Sequence, residues 1–541
     1  MSRVRNNRRA KPRPDNPCVR QQKALKARLV GCVTAAGVAL GLSGCTTLGP
    51  EYQEPTVDWL QHWQTSLYGQ AVGSTRGQEP DLSFWWRLFD DPVLNQLIEL
   101  ARQENPSLRI AGLRIMESRA LLGIAGSNLY PQVQQLDGAI NYVNTQYWDG
   151  PGVDQDLVSY QAGFTLGWEL DFWGRFQRGI ESADAAFFAS IANEQDAQVL
   201  LSAQTADLYY AYRLTEQRIA IARENAGIQK RSLEITQRLY RSGQAGELDL
   251  QQAKTQYLAT LATIPALQLT LAQTRNALAA LLGRPPGDLA ELARGEPELP
   301  SVAPLAIHGI PAQLMQRRPD VRAALWQVAA QSAQIGIAEA DFYPAIALAG
   351  SIGFSGSTLS GTPNTGTLGV GPALRWNLFD HGRIANNVRV QDARLQQLIE
   401  QYQNTVLQAA REIDDAAITV VKTREQREVL SEAVKASRRA LELAQSRYQE
   451  GYADFQRVLD AQRALFSQAD RELVAQGSHV NAVIAIYKAL GGGWLDGSAV
   501  TLPEPLRAEM RDRSDWGTLL DQPLPRGDAA PVEVPEDPKD E

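Results

Sequence analysis

The 541-residue chain is poor in several residue types that many enzymes and metal proteins rely on. Its three cysteines, Cys18, Cys32 and Cys45, all lie within the first 45 residues. No disulfide framework or thiolate metal site can therefore form within residues 46–541. The four histidines, His62, His308, His381 and His479, have no ligand-spaced His or Cys neighbour, so scattered structural or surface histidines are expected and no metal site. Beyond residue 45 no stretch approaches 18 consecutive apolar residues. A mature chain that crosses a membrane must then do so as a β-barrel. There is no G-x-S-x-G elbow and no HExxH. The run Gly350-Ser351-Ile352-Gly353-Phe354-Ser355-Gly356 lacks a following Lys-Ser/Thr and reads as strand, which argues against a phosphate loop. Glu412, Asp414 and Asp415 fall in mid-helix and read as charged surface, not as a catalytic pair. Neither an enzyme nor a cofactor is expected.

What is present is enough apolar material for a large core, 44% hydrophobic against 21% charged. The net charge of −8 averages two unlike pieces. Residues 1–44 carry ten Lys/Arg and one Asp, a local +9, which leaves −17 for residues 45–541. So acidic a body is a poor partner for nucleic acid. Residues 3–28 are basic, and Leu29 to Ser43 form an uncharged, mostly apolar run of signal-peptide length. The run ends in Leu42-Ser43-Gly44-Cys45, small residues directly before a cysteine, which resembles a bacterial lipobox. That resemblance implies cleavage before Cys45, a diacylglycerol on its sulfur and acylation of the new amine. Thr46 follows in place of the Asp linked with inner-membrane retention, which favours the outer membrane.

The body is written twice. Asn105-Pro106-Ser107-Leu108-Arg109 recurs as Arg318-Pro319-Asp320-Val321-Arg322, and Tyr130-Pro131 as Tyr343-Pro344, both at an offset of 213. Downstream the offset is 208: Trp168 maps to Trp376, Gly174-Arg175 to Gly382-Arg383, Gly243 to Gly451, and Leu282-Gly283 to Leu490-Gly491. Two long repeats with one indel predict a pseudo-symmetric protein, not a short-period solenoid. Each repeat reads as helix, two strands, a very long helix, a turn and a returning helix.

The first helices are expected over 92–128 and 311–341. Alternation of period two marks strands over 160–170, 346–354 and 368–378, with Trp near the ends, as in membrane barrels with interfacial aromatics. Four such strands cannot close a barrel, whose smallest membrane forms have about eight, so several chains are expected to share one. The long helices carry a strict heptad stripe, Phe187 to Tyr240 and Leu395 to Tyr448, in the same phase under the offset. An extended coiled-coil wall is expected in preference to an ordinary globular core. Returning helices are expected from Glu247 to about Leu282 and from Phe455 to about Leu490, after glycine-bearing turns.

Several motifs together resemble the TolC-like outer membrane factors, particularly the lipidated efflux channels of the OprM/NodT type. They are Leu42-Ser43-Gly44-Cys45; Trp85-Trp86-x-x-Phe89-x-Asp91-Pro92; the two Tyr-Pro pairs; Leu170-Asp171-Phe172-Trp173-Gly174-Arg175; Leu378-Phe379-Asp380-x-Gly382-Arg383; Gly246-Glu247-Leu248-Asp249; and Val458-Leu459-Asp460-Ala461-Gln462. They run from residue 45 to about residue 495. The resemblance implies an all-α coiled-coil barrel plus a transmembrane β-barrel. Two tandem repeats would give four strands per chain to a trimeric 12-stranded barrel.

The chain then divides into a lipoprotein signal (1–44), a lipid-anchored N-terminal equatorial segment (45–91) and a first repeat (92–283). An equatorial linker (284–310), a second repeat (311–491) and a C-terminal equatorial segment with a mobile tail (492–541) follow. The implied function is a passive outer-membrane conduit of a tripartite efflux pump, exporting drugs or other small molecules. Its partners would be two further copies of itself, a periplasmic membrane-fusion adaptor, an inner-membrane pump of the resistance-nodulation-division type, and the lipid bilayer. On this resemblance Cys45 would carry the lipid. Asp460 would be the periplasmic gate carboxylate, with an exposed helical Asp paired to Arg457 or Arg463 as the alternative, and Arg457 stands where some members have a second carboxylate. Ser242, Gly243, Gly246, Gly451, Tyr452 and Ala453 would be the adaptor-docking tips, plain turns being the alternative. A non-channel periplasmic coiled-coil lipoprotein, structural or adaptor, is the competing expectation.

Overall fold

A computed structural model describes residues 47–60, 68, 82–146, 148, 155–294, 298–300, 315, 317–495 and 502–525. The expected signal (1–44), Cys45 and most of the 284–310 linker lie outside the described residues. The helices are α1 (Pro92–Glu104), α2 (Pro106–Ser127), α3 (Arg175–Arg241), α4 (Glu247–Leu281), α5 (Pro319–Ala340), α6 (Arg383–Gln449), α7 (Phe455–Ala489) and α8 (Glu504–Arg513). The strands are β1 (Val133–Thr145), β2 (Gln155–Leu170), β3 (Ala345–Ser357) and β4 (Thr365–Arg375). Among the described residues no helix is long and apolar enough to cross a membrane.

The duplication is visible in the element bounds. α2 and α5 are displaced by 213 residues, α3 and α6 by 208, and α4 and α7 by 208. The slip between the two offsets falls within the strand hairpins. Local chemistry repeats too. α3, α4, α6 and α7 each end in a glycine with left-handed φ: Gly243 (+73°), Gly283 (+65°), Gly451 (+78°) and Gly491 (+70°). Around each, two backbone bonds close a Schellman cap, as in Gln244 N–H to Leu239 O (2.8 Å) and Gly243 N–H to Tyr240 O (3.0 Å). The Asn-Pro and Arg-Pro motifs do one job in the two copies. Asn105 Nδ2 donates to Leu281 O (2.9 Å) and Arg318 Nη1 to Ala489 O (2.7 Å), satisfying equivalent last-turn carbonyls of the returning helices.

One expected helix, 92–128, is two. Asn105 precedes a proline and is driven out of the α region, to φ −66° and ψ 123°. Its side chain then caps α2 by accepting from Leu108 N–H (3.0 Å). Of 311–341, residues 311–314 and 316 lie outside the description and α5 starts at Pro319.

The chain divides into two compact units. The first holds the strands, in Leu129–Arg178 and Gly336–Ile384, with the segment that ends at Gly49. Its sheet is antiparallel in the order β1-β2-β3-β4, so the β2–β3 pairing joins the two repeats and β1 and β4 form the edges. Register puts Leu136, Phe164, Ile352 and Leu368 in one row, and Gln135, Thr165, Ser351 and Gly369 in the next. Alternation thus produces one apolar face and one face of small and polar residues. Pro372 lies on edge strand β4, where a missing N–H is tolerated. β4 stops at Arg375, so Trp376 and Leu378 stand beyond the strand, contrary to the expected 368–378.

The second unit is helical. α3 buries most of its heptad stripe, from Phe187 through Leu201, Thr205, Ile219 and Gln229 to Thr236, whereas Leu208, Tyr212 and Leu233 are half-buried and Tyr240, its last member, is exposed. Over 185–213 the burial is wider than a seam and takes in Phe188, Tyr209, Tyr210 and Arg213. The expectation of no globular core is therefore corrected for this region. Trp85 stacks on Tyr487 (5.6 Å between centroids), and Phe89 lies 5.2 Å from Tyr210. Asp91 caps α1 through Val93 N–H (2.9 Å) and accepts from Tyr209 Oη (2.8 Å). The aromatic motif before α1 is thus the nucleus of a compact core.

The expected mobile tail is corrected in part. Residues 502–525 include α8 and pack Leu502, Met510 and Leu520 against Ile115, Phe187 and Trp326. Arg119, buried in α2, donates to the carbonyls of Leu519 (2.9 Å), Gln522 (3.0 Å) and Pro523 (2.9 Å) and holds this segment in place. Residues 526–541 lie outside the description.

Candidate functional site

Three features bear on function: a sheet with a bare apolar face, a layer of helices with a shallow groove, and two exposed helical tips. The strands have 11 to 16 residues, enough to span a bilayer that needs about 9–11 tilted residues. Leu136, Ile140 and Leu368 are each 80% exposed on the apolar face. So much bare hydrocarbon on one face marks an interaction with lipid, not water. At the end where β2 stops and β3 starts, Trp168 Nε1 donates to Leu129 O (3.1 Å) and Trp376 Nε1 to Phe342 O (2.9 Å). These equivalent bonds fix two indoles at one level, the arrangement of an interfacial aromatic belt.

In the helical unit, α2, α3, α5 and α6 lie side by side. Arg119 of α2 sits over the Phe187 ring of α3 (5.3 Å), Gln334 of α5 donates to Ser182 of α3 (2.7 Å), and Gln331 of α5 donates to Gln391 of α6 (2.9 Å). A concavity of about 690 Å³ crosses these helices, lined by Arg114, Ser182, Asn193, Gln327, Gln334 and Arg394 among others. Amides, hydroxyls and guanidinium groups share that lining with Leu121, Ala189, Ala330 and Leu398. Asp207 and Asp196 on α3 are pushed up to about 6, chiefly because burial disfavours the carboxylate. Glu412 is not plain charged surface: it pairs with Arg318 at 2.9 Å. Tyr68 Oη donates to Asp414 (2.6 Å).

The expected tips are where the sequence puts them. Ser242, Gly243, Gly246, Gly451 and Tyr452 are exposed and Ala453 is half-buried. Ser242 Oγ donates to Leu239 O (3.0 Å), and Asp249 accepts from Gly246 N–H (3.4 Å) at the start of α4. Leu248 (69% exposed) and Tyr452 (82%) are bare apolar side chains at the tips; the sequence reading names Tyr452 but not Leu248.

Asp460 is placed by its neighbours. Val458 and Leu459 are buried with Ala253, Leu441 and Phe455, which turns the next residue outward. Its carboxylate accepts from Gln456 Nε2 (3.0 Å) and lies 3.6 Å from Arg463 Nη1. Arg463 in turn donates to Gln256 of α4 (2.7 Å). Arg457 is exposed one turn earlier, its N–H bonded to Asp454 O (3.1 Å). His479 is buried against Thr423 (3.0 Å), and His381 adopts φ +52° in the turn before α6; His62 and His308 lie outside the description.

A duplicated coiled-coil wall joined in one chain to a bilayer-fitted sheet defines a class, the export channels of the bacterial outer membrane. Comparison with known proteins agrees. Residues 97–284 and 310–492 match the family described as outer membrane efflux protein. The toluene efflux pump outer membrane protein TtgI of Pseudomonas putida is 30% identical over 467 residues, covering 84% of this chain and 97% of the relative. The cation efflux system protein CusC of Escherichia coli is 30% identical over 471 residues, with the same coverage. Among solved structures, the outer-membrane channel OprN superposes with a TM-score of 0.72 at 32% identity, over 83% of this chain and 99% of that one. A structure of CusC gives a TM-score of 0.70 at 26% identity, over 83% and 100%. The chain belongs to the outer membrane efflux protein family and has the TolC-like fold in two repeats. It is an outer membrane efflux channel; the competing expectation of a non-channel adaptor finds no support.

Proposed function

We propose that three copies of this chain close one 12-stranded barrel and one helical tunnel, forming a passive conduit that an inner-membrane pump feeds through a periplasmic adaptor. The observation that carries this reading is the sheet: four strands, an apolar face, and edges at β1 and β4. Open edges do not occur in hydrocarbon, because each unpaired backbone group costs several kcal/mol there. A barrel of about eight strands, from two chains, has an interior just filled by side chains. Twelve leave room for water along the Gly-, Ser- and Thr-rich face. The outer helices of the layer support the same reading. Ile110, Leu121 and Ile124 on α2, and Val390 and Leu407 on α6, are exposed and suited to a second copy.

Conduction needs no catalytic group or cofactor in this chain. The relatives TtgI and CusC are named for toluene and for cations on one shared architecture, which favours selection of cargo by the pump. Here the cargo is read as drugs or other small molecules, and the pump as the resistance-nodulation-division type. The tips at 242–246 and 451–453 are the surfaces offered to the adaptor, with Leu248 and Tyr452 as apolar anchors. Cys45 is the acylated residue.

Asp460 is the gate carboxylate. Its ion pair with Arg463 is exposed and within one helix, a kind worth only about 0–1 kcal/mol, so it leaves the carboxylate free to act on permeant ions. Three such groups in a narrow pore would favour or bind cations. Arg457 weakens the case for a double acidic ring. Asp460→Ala is expected to raise single-channel conductance in planar bilayers and to weaken block by divalent cations. Unchanged conductance and unchanged block would remove Asp460 from the gate.

A further inference from the structure

We propose that residues 47–49 are a docked tether that sets where the lipid on Cys45 enters the membrane, with Gly174, Arg178 and Gly336 as its positioning residues. The proposal rests on the reading of Cys45 as acylated. The segment is held by a built seat. Leu48 N–H donates to Trp173 O (3.1 Å), and Arg178 donates from Nε to Leu48 O (3.0 Å) and from Nη2 to Gly49 O (3.5 Å). Arg178 is only 3% exposed, so its guanidinium is committed to the interior.

Two glycines make the approach possible. A Cβ at Gly174 would lie 2.7 Å from Thr47 Cα, and one at Gly336 would collide with the Leu48 carbonyl oxygen. Gly336 lies inside α5, where glycine is less favourable than alanine. The close approach is a reason for that cost. Its equivalent in the first repeat, Gly123, has open space around it.

The seat is also asymmetric in a molecule otherwise written twice. At the offset of 208, Trp173 maps to His381 and Arg178 to Asn386. The departures from symmetry fall where the N-terminal segment docks. The place matters for the lipid. Trp173 stacks on Tyr343 (4.6 Å) and donates from Nε1 to Pro344 O (2.9 Å), so the seat lies at the β2–β3 end of the sheet, beside the aromatic belt. Cys45 is two residues from Thr47, and two residues of chain span at most about 7 Å. Acyl chains on Cys45 would then enter the bilayer near the level of that belt.

The test uses the full-length chain in the outer membrane of a Gram-negative host. With the leader removed and Cys45 alkylated by its lipid, Leu48→Cys supplies the one free thiol. Its labelling by a membrane-impermeant maleimide is compared with the same thiol in urea-unfolded protein, and palmitate incorporation is followed in parallel. The expected result is labelling at least about tenfold slower in the native channel. Arg178→Ala and Gly336→Val should recover most of that difference with palmitate retained, since losing one charge-assisted hydrogen bond is worth about that factor. Arg178→Lys, which keeps the charge but not the fork, should fall between. Palmitate present with native labelling as fast as in urea would overturn the seat. Absence of palmitate would overturn the reading of Cys45, and the proposal with it. The Leu48→Cys measurement alone decides the matter should the other variants fail to fold.

Discussion

Asp207 illustrates how much of this protein is decided one side chain at a time. Burial holds its carboxyl up to about 6, although Lys488 pulls in the other direction. A folded-state pKa above the unfolded value of about 4 means that ionisation opposes folding. The penalty is full above about pH 6 and vanishes below about pH 4. Asp207→Asn should therefore stabilise the fold at pH 7.5 by up to about 3 kcal/mol, seen as a higher thermal midpoint, and give no gain at pH 4. Equal gains at both pH values would contradict the assignment. The helix-ending glycines are the opposite case, in which the sequence alone sufficed. Left-handed φ at Gly451 is a local demand of the turn, and alanine there should cost about 1–2 kcal/mol, read in denaturant unfolding. The gate role proposed for Asp460 rests on its motif alone. That role would depend on two other chains, and a carboxylate's exposure within one chain does not report what it meets across a pore.

At the scale of elements, the sequence was most informative where one physical rule governs a long stretch. The heptad stripe of α3 predicted which residues are buried along most of the helix, since a period of 3.5 leaves one face for the partner. It underestimated burial near Tyr209 and Tyr210, because residues 85–98 cover a second face and such long-range packing leaves no local period. The break at Asn105 was missed although the proline was in plain view: a helical pattern on both sides of it hid two helices packed in series. α8 was missed for a different reason. Its acidic, proline-rich context reads as tail, and its order comes from Arg119 in α2, some 400 residues away in the chain. Arg119→Ala should release 502–525. Tryptic cleavage in this segment should then become several-fold faster in the folded channel, with α3 and α6 still protected. Unchanged cleavage would mean that the apolar contacts of Met510 and Leu520 suffice.

For the whole molecule, duplication is what makes the architecture legible. Duplication, alternation and the lack of a long apolar run beyond residue 45 together point to a shared barrel. The unduplicated parts, the seat for residues 47–49 and the strap at 502–525, could not be read that way, because each is defined by partners far away in sequence. The central claim is that β1 of one copy pairs with β4 of the next until three chains close. Intermolecular disulfide trapping tests it directly in the outer membrane. A cysteine at Gln135 in β1 is scanned against cysteines at Thr367, Gly369 and Gly371 in β4, all on the small and polar face. The account predicts that at least one pair yields a covalent ladder ending at three chains, with no larger species at saturation. A ladder that stops at two, runs beyond three, or fails to form at every register would contradict it.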